Sequence, residues 1–84
     1  MIAPFKYGKL VFEMTVILQR SLTRRETQCL EGLARGLDNA GISRELSISL
    51  PTVALHLINA RRKLSATTRE QAVARAVDLG LIRP

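Results

Sequence analysis

Tryptophan is missing from this 84-residue sequence, tyrosine occurs once and phenylalanine twice. The hydrophobic fraction is nevertheless 46%, so a core must be built from short aliphatics, chiefly Leu, Ile, Val and Ala. The single cysteine, Cys29, excludes an internal disulfide and a cysteine-built zinc site, and fits a reducing compartment. The single histidine, His56, leaves no spare groups for a zinc hydrolase or a His-based triad. The chain carries no carboxylate pair, glycine-rich phosphate loop or metal-spaced cluster, so it offers no catalytic residue, metal site or cofactor site. It also lacks a run of the roughly 18 apolar residues that a bilayer span requires. Leu10–Leu18, behind Lys6 and Lys9, faintly imitates a signal peptide, but Glu13 interrupts it and no small-residue cleavage site follows. The expected location is the cytoplasm, on the nucleoid if the partner is DNA.

Acidic residues are scarce. Thirteen Lys and Arg against seven Asp and Glu leave a net charge of +6. Such an excess points first to nucleic acid and second to an anionic membrane surface, although a solvated basic face that aids solubility would look similar. Position narrows the choice. No acid lies between Glu45 and Glu70, whereas Arg61, Arg62, Lys63 and Arg69 all do.

The length suits one small domain, which buries only roughly 60–65% of its unfolded surface. The chain divides near Arg20. Residues 1–20 form an apolar N-terminal arm or linker in which Leu10, Phe12, Met14, Val16 and Leu18 alternate. Strand and helix fit that arm equally, and it needs a surface to pack on. Residues 21–84 read as helices throughout. Thr23 and Glu26 form a capping box ahead of Cys29, Leu30, Leu33, Ala34 and Leu37 at helical spacing, with Gly36 as the stop, which predicts a first helix over about 24–35. Asp38 caps a short second helix with Ile42 and Leu46 facing inward. Gly41 costs it up to about 1 kcal/mol relative to Ala. Ser49 caps a third helix over about 50–64, where Pro51 is harmless and Val53, Leu57, Ala60 and Leu64 make an inward stripe. Thr68 and Gln71 make a second capping box for a fourth helix over about 69–79, ended by Gly80, with Leu81 and Ile82 folding back. Cys29 and His56 read as structural residues.

A short helix, a tight turn and a longer helix with a basic outer end make a helix-turn-helix. A helix about 10–12 Å across fits the major groove of B-DNA while the preceding helix braces it on the backbone. The residues resemble the LuxR-type (GerE-like) DNA-binding domain of bacterial transcription regulators. The likeness runs through Leu22-Thr23-Arg24-Arg25-Glu26, Leu33-Ala34-Arg35-Gly36, Asn39, Ile42, Leu46 and Ile48-Ser49. It continues through Thr52-Val53, His56, Asn59, Lys63-Leu64, Arg69 and Gln71-Ala72-Val73. The tail Ala76–Ile82 is most similar to the branch that senses acyl-homoserine lactones. The likeness spans residues 21–82 without a gap. The sensor domain typical of that branch is not in the sequence, so a stand-alone member or an excised fragment is expected. The run Asn59–Leu64 also resembles the helix-turn-helix of sigma factors, while His56 and the box at Thr68 favour the LuxR type.

The resemblance implies an all-α, four-helix domain, not an enzyme, whose third helix recognises double-stranded DNA and whose fourth offers a small-residue face for a homodimer. By family position Thr52 and Asn59 touch the DNA backbone or groove edge, with Ser49 at the helix start. Ala54, Leu55 and Ile58 stand where members read bases. Phosphate contacts fall to Arg44, Arg61, Arg62 and Lys63, and the dimer face to Ala72, Val73, Ala76 and Val77. The departure lies at the base-reading positions. Members usually place Lys, Arg or Asn at Ala54 and a polar or basic residue at Ile58, whereas Pro51, Leu55 and Ile58 are apolar and only Arg62 on that face is charged. Ala40 and Gly41 likewise replace a Lys-Glu common in the family. Aliphatics cannot make the bidentate base contacts of Arg or Asn, but they can touch thymine methyls. Two functions follow: a DNA-binding regulator, or an anti-activator that dimerises with a homologous LuxR-type regulator through the apolar strip. RNA polymerase is a further partner that the family implies.

Overall fold

The computed structural model describes Glu13, Ile17 and residues 21–83. The described chain is all-α: α1 (Arg24–Ala34), α2 (Asn39–Leu46), α3 (Leu50–Lys63) and α4 (Arg69–Asp78). The apolar arm of residues 1–20 lies outside the described residues except for Glu13 and Ile17, both in helical conformation with Ile17 exposed.

Each helix begins where a side chain satisfies first-turn amides. The Thr23 hydroxyl accepts from the Glu26 amide at 3.1 Å, and Glu26 Oε1 accepts from the Thr23 amide at 3.0 Å, completing the capping box. Asp38 Oδ1 accepts from the Gly41 amide at 2.8 Å, and Ser49 Oγ from the Thr52 amide at 3.3 Å. The box expected at α4 closes differently. Thr68 Oγ1 accepts from the Gln71 amide at 3.0 Å, but the Gln71 side-chain oxygen accepts from the amide and hydroxyl of Thr67, not from the Thr68 amide. Two donors on Thr67 hold that oxygen one residue upstream.

Stops are left-handed residues. Gly36 takes φ +91°, as expected, but the ends of α2 and α3 are turned by Ser47 and Ser65 at φ 56° and 54°. Ser47 is locked in place because the Ser43 hydroxyl donates to the Ile48 carbonyl and the Ile48 amide returns to Ser43 O at 3.1 Å. The turn of the helix-turn-helix is therefore pinned from both sides.

The core lies where α3 meets α1, α2 and α4. Val53, Leu57, Ala60 and Leu64 are all buried, as the stripe requires, against Cys29, Leu30 and Ile42. Leu22, Ala66 and Ile82 close its ends. Burial pushes the Cys29 thiol up, so it stays protonated and packs as a small apolar group. Gly32 permits the close approach of α1 and α2: a Cβ there would stand 2.7 Å from Ile42 Cγ1.

Within the expected contact face of α4, Ala72 and Ala76 differ from Val73 and Val77. The two alanines have zero exposure and belong to the domain's own core, because small side chains let α4 settle directly onto α1 and α3. Val73 and Val77 are half-buried at the rim of the same face, and Ala74 is exposed.

Candidate nucleic-acid interface

The outward face of α3 is assembled by elements already described. Ser49 starts the helix, and its hydroxyl lies 2.7 Å from that of Thr52, so these two expected contact residues form one exposed hydroxyl pair at the helix entrance. Beyond them Leu50, Leu55 and Ile58 stand 51%, 55% and 40% exposed, which is unusual for large aliphatics on so small a domain. Pro51 is exposed, and Ala54 and Asn59 are half-buried. The structure thus brings Ser49, Thr52, Ala54, Leu55, Ile58 and Asn59 together on α3. It adds Leu50, which continues the period of the inward stripe but stands 51% exposed in the first turn of α3, so period alone does not find it.

The four cations assigned to phosphates do not behave alike. Arg44 on α2 and Arg62 on α3 are exposed and make no ion pair or hydrogen bond to another described residue. Arg61 is half-buried and donates from Nη1 to the Ala66 carbonyl at 3.1 Å, holding the loop after α3. Lys63 turns inward. Its Nζ lies 2.8 Å from Glu26 Oε1 and 2.7 Å from the Ser21 carbonyl, so its charge is committed to the start of α1. In the unbound chain Lys63 thus has a structural role, with a third of its side chain still exposed. Arg69, beside the strip, shares a shallow depression with Ala54, Ile58, Arg61, Thr67 and Thr68, and its place in the acid-free stretch already marked it.

Glu26 is the partner that explains Lys63. Only 3% exposed, it anchors both the capping box and the ion pair. Burial pushes its carboxyl up, but the Lys63 hydrogen bond, the Thr23 amide and the charges of Lys63 and His56 outweigh that, and its pKa lies below the ordinary value of 4.5. The pair ties the last turn of α3 to the first turn of α1. Arg75 ties the same end of α3 to α4, donating from Nη1 to the carbonyls of Leu64 and Ser65 at 2.8 Å each. A cation there satisfies chain-end carbonyls and opposes the negative end of α3's dipole. Between them these contacts fix the azimuth of α3, and so the direction in which Leu55 and Ile58 point.

The other ion pair, Arg35 with Glu45, links the end of α1 to α2 on the surface and contributes little stability at such exposure. Its effect on the site is to neutralise Glu45, the acid nearest in sequence to Ser49.

Four helices with a pinned α2–turn–α3 unit and an acid-free outer helix define a helix-turn-helix domain. Residues 20–76 match the family model described as bacterial regulatory proteins, luxR family. The chain belongs to that family, which places it among regulatory proteins and not among enzymes. It is 48% identical over 67 residues to the HTH-type quorum sensing-dependent transcriptional regulator RpaR of Rhodopseudomonas palustris, covering 80% of this chain and 28% of that protein. It is 57% identical over 51 residues to the transcriptional activator protein RaiR of Rhizobium etli, covering 60% and 21%. To the transcriptional activator protein LuxR of Aliivibrio fischeri it is 41% identical over 61 residues, covering 73% and 24%. The chain spans about a quarter of the length of these relatives. Among the described residues no helix is long and apolar enough to cross a membrane.

Proposed function

We propose that the chain binds duplex DNA with α3 in the major groove and α2 across the backbone, as a homodimer, and that it acts on transcription in the quorum-sensing setting of its relatives. One observation carries the reading: α3 and its flanks, from Leu46 to Arg69, contain no carboxylate, and Arg62 stands exposed beside the outward strip. A polyanion can approach that face without meeting a like charge. Phosphate contacts come from Arg44 and Arg62, with Arg61 and Arg69 at the edge of the same surface. The test is binding to random-sequence duplex over a salt series. Affinity should fall steeply as salt rises, and Arg62→Ala should weaken binding to all sequences and lower the log–log salt slope by about one unit. An unchanged slope in Arg62→Ala removes that residue from the phosphate field.

Self-association is assigned to the exposed side of α4, with Val73 and Val77 flanked by Ala74. A two-fold pairing would cover these rims by contact with their own copies. Val77→Asp should shift sizing from dimer to monomer while leaving the helical circular dichroism intact, because Val77 lies at the rim. A monomeric wild-type chain, free and on DNA, would contradict the dimer.

The exposed aliphatics of α3 favour a second reading, an anti-activator that pairs with a LuxR-type regulator without reading sequence. Failure to bind any duplex at low salt, together with a stable complex with such a regulator, is the result that would select it.

A further inference from the structure

Leu50, Leu55 and Ile58 are the large aliphatics that the described helix-turn-helix leaves exposed; Leu55 and Ile58 share the outward side of α3 with Pro51 and Ala54, while Leu50 stands in the first turn at its edge. The polar groups near them are otherwise engaged or turned aside. Thr52 pairs with Ser49, and His56 is half-buried. Ahead of Arg62 the face holds no Arg or Gln, and its one amide, Asn59, is half-buried beside Ile58, so the fully exposed part of the strip is aliphatic. Its surroundings are uniformly cationic: Arg61, Arg62 and Arg69 border it, and no acid lies between Glu45 and Glu70. The matching occupant is both polyanionic and methyl-bearing. In the major groove thymine presents a C5-methyl group and cytosine does not.

We infer that Leu55 and Ile58, supported by Leu50 and Ala54, read the C5-methyl groups of pyrimidines in the major groove, so that selectivity follows the methyl and not the Watson–Crick edge. The inference rests on the proposal that α3 enters that groove. Its physical basis is the burial of methyl against methyl: each group withdrawn from water on both sides favours a site that carries it, and the backbone cations hold the helix close enough for contact. A consequence separates this from ordinary preference for A·T pairs. A 5-methylcytosine at a contacted position should substitute for thymine far better than cytosine does, although its hydrogen-bonding edge is that of cytosine.

The test begins with selection of duplexes from a random pool by the 84-residue chain. The enriched duplex is then remade with deoxyuridine for each thymine in turn, and with cytosine or 5-methylcytosine at the same positions. Each contacted methyl removed should weaken binding by about fourfold, and 5-methylcytosine should restore most of what cytosine loses. Leu55→Ser and Ile58→Ser, both at exposed positions, should keep the fold, weaken binding to the enriched duplex and lose the preference for thymine over deoxyuridine. Several results would overturn the inference while leaving DNA binding standing: no enrichment, equal affinity for the deoxyuridine duplex, or a preference that survives both serine variants. Absence of binding to every duplex at low salt would overturn the reading beneath it. A complex with a LuxR-type regulator that Leu55→Ser breaks, without any DNA binding, would assign the strip to protein instead.

Discussion

Lys63→Ala should destabilise the domain by about 2–3 kcal/mol and lower its melting temperature by roughly 10–20 °C. Removing the ammonium leaves Glu26 buried with the Thr23 amide as its remaining described donor, and an unpaired buried carboxylate is far more costly than the loss of the pair itself. The figure is set below that of a fully enclosed pair because a third of the Lys63 side chain remains exposed. For a chain this short, with total stability of about 4–12 kcal/mol, the loss removes a large share. The effect should shrink on a Glu26→Gln background, where no buried charge is stranded. The pair also sets an acid limb. Because the folded pKa of Glu26 lies below 4.5, its stabilisation is complete above that pH and is lost as pH falls through the lower folded value. Glu26→Gln should flatten that limb in melts taken across the range. If Lys63→Ala instead left the melting temperature unchanged and only reduced the salt slope, Lys63 would be a phosphate contact after all.

Ile58→Glu should abolish detectable specific binding, with affinity for duplex DNA down by at least about 100-fold. Ile58 is 40% exposed on the outward face, so a glutamate there can be solvated and the fold retained. On DNA the same carboxylate would enter the phosphate field from which the region is otherwise free of acids, and an apolar contact would be lost with it. Thermal melts and circular dichroism check the fold, and duplex titration checks the affinity. Wild-type affinity in Ile58→Glu would place the DNA on another face.

The parts of this architecture governed by short-range chemistry were legible in the sequence. Thr23, Asp38, Ser49 and Thr68 each cap an amide three residues on, so local spacing suffices to find them. The inward stripe of α3 follows equally from period alone, since Val53, Leu57, Ala60 and Leu64 repeat at the helical interval. What escaped depends on distance along the chain. Lys63 and Glu26 are 37 residues apart, and Arg75 reaches carbonyls ten and eleven residues back, so neither contact leaves a periodic trace. Lys63 looked like its neighbours Arg61 and Arg62, and only packing decides which of three successive cations turns inward. Nothing local identifies Ser47 and Ser65 as left-handed stops, because serine adopts that conformation only where surrounding bonds impose it. On α4, Ala72 and Ala76 carried the right period for a contact face, but period cannot say whether a small-residue face meets its own domain or another.

The central claim, that α3 is the DNA-contacting element, is tested most directly by following backbone amide resonances of the chain during titration with duplex DNA. The account predicts that the largest, salt-sensitive shifts fall on Ser49–Arg62 with a smaller set at Arg44, and that core positions such as Leu30 and Ala76 move little. Shifts concentrated on α4, or none along α3 at saturating duplex, would contradict it.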